Sequence, residues 1–181
     1  MTVHLPTVQL VFLDGQGCSH AGNILRWLKK RFTFSEWVHI SPVDAGIDGV
    51  RWVHCVPLDY EDAMRYQAVD MGWLLGPGQS HQLSIEPDGF PVHPECWEHD
   101  FLKWDYIGAP WPLKWSGRNG IRVGNGGCCL RSAAFIRVLN TLEYPEGMSG
   151  DVFWCKHERT RKNSFGFHKT LPGWKERVCR H

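Results

Sequence analysis

Two rhythms of apolar and polar positions run along this chain, and they predict its elements. Thr7–Leu13 (TVQLVFL) is an unbroken apolar run closed by Asp14-Gly15, which reads as a parallel strand buried on both faces and followed by a loop. Ile24, Leu25 and Leu28 mark the apolar face of a helix that Ser19 or Asn23 is placed to cap. Lys29, Lys30 and Arg31 fall in its last turn, where cations suit the helix dipole. Trp37–Ile40 and Val50–Val56 read as two more short strands on either side of the turn-forming stretch SPVDAGIDG. After Asp59, the residues Tyr60, Met64, Ala68, Met71 and Leu75 recur at helical spacing, so a helix is predicted over Tyr60–Leu75, ended by Gly76-Pro77-Gly78. A strand over Gln82–Glu86 follows.

The second half is less regular. Pro94 suits the first turn of a helix carrying Trp97, Phe101 and Leu102, and Tyr106–Gly108 is a short return strand. Lys114–Gly120 reads as a polar surface loop. Ile121–Val123 leads into Gly124-Asn125-Gly126-Gly127 and then Cys128-Cys129-Leu130. Ser132 opens a helix over Ala133–Leu142, and a Pro/Gly-rich loop, Tyr144–Gly150, brings in Asp151 and a helix to about Thr160. Phe165–His168 looks like a last short strand. The alternation of strand and helix in the first half predicts an α/β fold with a mostly parallel central sheet and helices on its faces.

Composition narrows the class. At 181 residues the chain reads as one domain, 1–181, long enough to bury roughly two thirds of its unfolded surface without disulfides. A net charge of +1 argues against a surface that attracts nucleic acid as a whole. The seven cysteines form no CxxC pair and lack zinc-ligand spacing. With no leader-like apolar start and no run long enough for a bilayer, the expectation is a reduced cytoplasmic protein with no membrane partner. Ten tryptophans exceed ordinary usage; they fill cores, and they also stack on sugars and bases.

The candidate chemistry concentrates in His81–Trp111. Glu86 and Asp88 stand two apart at the end of a predicted strand, a spacing that presents both carboxylates to one face at the strand end where open α/β sheets bind ligands. Three readings are open: a plain Pro-Asp-Gly turn, a divalent-cation site for a nucleotide's phosphates, or a glycosidase acid/base pair, which needs carboxyls at least about 5 Å apart. Gly124–Gly127 is either a tight turn or a place where a ligand approaches the backbone, with Asn125 adding an amide. It has neither the Lys-Ser/Thr of a P-loop nor the spacing of a dinucleotide fingerprint. Asp151 reads as a helix cap or a general base, and His168 as a packed side chain or a ligand.

The series EPDGF, WDYIGAPW, VGNGG-x-x-LRS, GDVF and FGFH, in that order, resembles a bacterial and phage glycosyltransferase-like family over roughly Val8–Trp174. Such proteins are similar to GT-A nucleotide-sugar transferases. The resemblance implies a Rossmann-type α/β/α sandwich and a DxD-like motif, here Glu86-Pro87-Asp88 followed by Gly89. That motif would hold Mn2+ or Mg2+ against the donor diphosphate. Asp88 is the ligand the pattern matches; Glu86 departs from a strict DxD, and His168 would add a later metal contact. Asp151 would be the catalytic base of an inverting transfer, in a motif whose preceding Glu is here Gly150. Asp14 and Gly15 would lie near the nucleoside of a nucleotide-sugar, a UDP-sugar by the same resemblance. Trp111, Gly124, Asn125, Gly126 and Gly127 would line the sugar or acceptor pocket. The acceptor is a glycan or a hydroxylated base in DNA, the latter suggested by Arg118 and the basic run Lys156–Lys162; a phage-encoded member would work in the host cytoplasm. The rival from another class is a non-catalytic sugar- or nucleic-acid-binding module of the same fold.

Overall fold

The computed structural model describes residues 2–68, 70–109, 125–145 and 153. Among these residues, six strands form one sheet: β1 (Val3–Leu13), β2 (Phe32–Ser41), β3 (Arg51–His54), β4 (His81–Ile85), β5 (Tyr106–Ala109) and β6 (Asn125–Ser132). Their order is β3-β2-β1-β4-β6-β5. The first four are mutually parallel, while β6 runs antiparallel to both β4 and β5. The α/β class therefore holds. The sheet itself is mixed: parallel on the side built by the first half of the chain, antiparallel where β6 enters.

Among the described residues, three α-helices accompany the sheet: α1 (Ala21–Lys29), α2 (Tyr60–Ala68) and α3 (Ala133–Leu139). One face of the sheet (Val8, Leu10, Phe12, Leu83, Ile85, Leu130) packs on Ile24, Leu25 and Leu28 of α1 and on Phe101. On the other face, Val11, Leu13, Val38 and Ile40 meet Leu58, Met71 and Leu74, and Cys129 meets Leu139 of α3 and Phe153. β1 and β4 are inner strands covered on both faces. That is why Val8–Leu13 and all of β4 are buried without alternation.

Several elements differ from the pattern-based expectation, each for a physical reason. β1 starts at Val3 rather than Thr7; Pro6 interrupts the apolar pattern, and the pairing with β2 shifts register between Leu5 and Gln9. β2 starts at Phe32, five residues early, because Thr33 and Ser35 face solvent there while Phe32 and Phe34 point inward. α1 is preceded by His20, with no side-chain cap from Ser19, and Asn23 lies inside the helix. The helix at Tyr60 stops at Ala68, and Asp70–Leu74 winds as a 3-10 turn. That tighter winding stacks residues three apart, so Leu74 follows Met71 into the core in place of Leu75. Tyr60 is exposed. In place of a helix after Pro94 there are two 3-10 turns, Pro94–Cys96 and His99–Lys103, separated by an extended Trp97. Ser132 caps α3 as expected, accepting the Phe135 N–H at 3.0 Å.

A polar stripe crosses the α2 side of the sheet. Gln9 of β1, Gln82 of β4 and Arg131 of β6 are all buried there. Gln82 Nε2 donates to Gln9 Oε1 at 2.9 Å, and Arg131 donates to Gln82 Oε1 at 2.7 Å. The stripe also receives the carbonyls that the helical segments leave over at their ends. Arg131 donates to the Gln67 carbonyl and Gln9 to the Leu74 carbonyl, each at 2.7 Å. A helix end buried without such donors would be costly, and a cation at the C-terminal end also suits the dipole.

Candidate functional site

The chain leaves β1 toward β2 and β3, and returns by way of α2 to β4 on the other side of β1. The strand order reverses between β1 and β4. A crevice at such a reversal, at the carboxyl ends of the strands, is where open α/β sheets take ligands. Asp14-Gly15 follows β1 at this point, and Glu86–Gly89 follows β4.

Asp14 is 1% exposed. Its two carboxylate oxygens accept the Cys18 N–H at 2.9 and 2.8 Å, and Ser41 Oγ donates to one of them at 3.4 Å. The carboxylate therefore fastens the loop after β1. His39, also 1% exposed, stands with Nε2 3.6 Å from Asp14 Oδ2, beyond hydrogen-bonding reach. Burial holds its pKa below the ordinary imidazole value, and the nearby Asp14 carboxylate only partly offsets that, so the ring is neutral at neutral pH. Gly15 gives its carbonyl to the Leu58 N–H at 2.9 Å, and a Cβ on it would stand 3.0 Å from Leu58 Cβ.

The carboxylate pair is arranged differently from the expectation of strand neighbours. β4 ends at Ile85, and Glu86 bridges to Gly89, so Pro87 and Asp88 are the centre of a tight turn. The alternation of faces stops with the strand. Glu86 is half-buried and Asp88 is exposed at the tip. The Glu86 N–H is shared between the Gly89 and Gly127 carbonyls, both at 3.0 Å, and the Gly89 N–H returns to the Glu86 carbonyl at 3.1 Å.

The glycine cluster lies in the first part of β6 rather than in a loop: Asn125, Gly126 and Gly127 are strand residues. What comes close to it is the Glu86–Gly89 turn. A Cβ on Gly89 would stand 2.5 Å from the Gly127 carbonyl oxygen, a distance no side chain tolerates. Two motifs some forty positions apart in sequence thus meet backbone to backbone.

Gln67, near the end of α2, joins them. Its Nε2 donates to Glu86 Oε1 at 3.1 Å, to the Gly126 carbonyl at 2.9 Å and to Ser84 Oγ at 3.3 Å. The side chain is fully buried. The pattern held a signal for it: Gln67 stands three residues after Met64 and four before Met71, a polar residue on the buried face of the helix. His39 and Ser41 gave no comparable signal, because Asp14, which follows β1, comes near them only across the sheet.

Glu86 and Asp88 offer the carboxylate oxygens that a hard divalent cation prefers, so the described part of the expected ligand set fits Mn2+ or Mg2+. Among the described residues, no three His, Cys, Asp or Glu side chains converge as a metal cluster. Asp151, His168, Trp111 and Gly124 lie outside the described residues. A surface groove of about 390 Å³, lined by Lys30, Arg31, Pro94 and Glu95, involves none of the expected site residues.

The family described as protein of unknown function, DUF5672, matches residues 78–173, more than half of the chain. The chain belongs to the DUF5672 family. The DUF5672 match takes in β4, the Glu86–Gly89 turn, the glycine strand and the positions of Asp151 and His168; it leaves out β1, with Asp14 and Gly15, and α2, with Gln67. Neither curated proteins nor solved structures gave a match. Among the described residues, no helix is long and apolar enough to cross a membrane.

Proposed function

We propose that this DUF5672 protein is a metal-dependent, inverting glycosyltransferase of the GT-A type. It would move a sugar from a nucleotide-sugar, with UDP-sugars the first donors to test, to an acceptor hydroxyl on a glycan or on a hydroxylated base in DNA. The observation that supports this most is the meeting of the Glu86–Gly89 turn and the Gly126-Gly127 backbone beside the strand-order reversal. The parallel β3-β2-β1-β4 half suits a Rossmann-type nucleotide fold. In the proposed site, Asp88 and Glu86 hold the cation with His168, and Asp14-Gly15 borders the nucleoside. When bound, the cation offsets the charge that develops on the departing diphosphate. Asp151 removes the proton of the acceptor hydroxyl as it attacks the anomeric carbon from the face opposite the diphosphate, so a single displacement inverts the configuration. Trp111 and Gly124–Gly127 border the sugar and acceptor, with Asn125 bonding a hydroxyl. A base in duplex DNA would have to leave the stack to reach the site.

The test incubates the protein with a panel of nucleotide sugars and Mn2+ and follows nucleoside diphosphate release with and without EDTA. Release that EDTA abolishes is expected. Asp88→Ala should lose donor binding, while Asp151→Asn should keep it and lose turnover by about 10²-fold or more. No release and no thermal shift with any donor rejects the transferase reading. Salt-dependent DNA binding without sugar-nucleotide binding would support a non-catalytic module instead.

A further inference from the structure

We infer that Gln67 is a positioning residue for the site, one that aims the Glu86 carboxylate and fixes the glycine strand beside it. The inference rests on the metal-site reading of Glu86 and adds to it a residue outside the stretch that matches the family. Among the described residues, Gln67 is bonded to both halves of the site: its single amide nitrogen reaches a carboxylate oxygen of Glu86 and the main-chain carbonyl of Gly126.

Three features separate this contact from ordinary core packing. First, Gln67 is a fully buried polar side chain at helical spacing between the buried Met64 and Met71. Second, the carboxamide orientation is fixed by its surroundings, because Nε2 faces three acceptors while Oε1 is buried with no hydrogen-bond partner among the described residues. Third, the residue is itself held: Arg131 donates to its main-chain carbonyl at 2.7 Å, so the end of α2 is anchored to β6, the strand that carries Gly126. An amide that donates to a ligating carboxylate limits the orientations that the carboxylate can take, and such outer contacts govern metal affinity.

The experiment compares the wild-type chain with Gln67→Met, of similar length and without an N–H, in two measurements. Calorimetric titration with Mn2+ gives affinity, and native-state hydrogen exchange by NMR follows the Glu86 and Gly89 amides, both of which donate within the turn. The expected result is Mn2+ affinity weakened by about 10-fold or more, with the largest rise in exchange at those two amides and a lower melting temperature, since the Gly126 carbonyl and Ser84 lose the Gln67 donor. Wild-type Mn2+ affinity in the variant overturns the inference, as does faster exchange spread evenly over the chain. If the wild-type protein itself binds no Mn2+, the metal reading of the site fails, and the two amides alone decide the role of Gln67. If Gln67→Met does not fold, Gln67→Leu, which also lacks the N–H and adds no charge, is measured in the same way.

Discussion

Gly89 is the tightest point of the site. Its Cα faces the Gly127 main chain, which has no flexible end to move aside. Gly89→Ala is therefore expected to cost about 1–3 kcal/mol, the usual penalty of overpacking, as a lower urea midpoint. Gly76→Ala, where the nearest contact to a new Cβ is an ordinary 3.7 Å from the Gln79 side chain, should stay within about 1 kcal/mol of wild type. At this scale the sequence was legible wherever a residue is chemically out of place. Glu86, Gly89, Gly126 and Gly127 stood out by type, and the fold brings them together. For Asp88 both a turn and a strand neighbour of Glu86 were open, because Pro-Asp-Gly suits both; the hydrogen bonds of Glu86 settle it as a turn. Gln67 was legible as a polar residue in an apolar stripe, but its partners on β4 and β6 could not be read from α2 alone.

The element that depends most on others is α2. Its last carbonyls and those of the following 3-10 turn are received by side chains of three different strands. Replacing Arg131 with Met removes the donor to the Gln67 carbonyl and to Gln82 Oε1. With two buried acceptors stranded at about 1–3 kcal/mol each before relaxation, a loss of about 2–4 kcal/mol is expected in equilibrium unfolding. Helical periodicity alone predicted one unbroken helix over Tyr60–Leu75. It could not show the change to 3-10 winding, because that is set by where Gly72 packs against Asn140 and where Gln9 meets the Leu74 carbonyl. Elements with one buried face and a clear cap, such as α3 after Ser132, were read closely. The aromatic half of β2 was missed because Phe32 and Phe34 alternate with polar residues instead of forming a run.

For the whole molecule, pH is the most direct probe of the buried network. Burial lowers the pKa of His39 and of His81, with Asp14 and the Trp104 carbonyl respectively opposing it in part. Below the ordinary imidazole value of about 6.5, the unfolded chain takes up protons that the native chain refuses, so stability falls as pH drops through that range. Glu36 adds a second loss lower down. Burial alone would raise its pKa, but bonds from Gln9, Gln79 and Arg51 outweigh burial and hold it low, so its contribution disappears on protonation. Urea midpoints should be level above about pH 7 and decline toward pH 5, and His39→Gln with His81→Gln should flatten that slope. The mixed sheet has a further consequence, for a chain still being made. β5 precedes β6 in sequence but lies outside it in the sheet, so on leaving the ribosome β5 meets no strand it can pair with, and β4 keeps an open edge. β6 then enters between two strands already synthesised, and it carries both Gly127, which meets the Glu86 amide, and Arg131, which meets the end of α2. A nascent chain halted before Asn125 thus carries the Glu86–Gly89 turn without the Gly127 carbonyl that the Glu86 N–H meets.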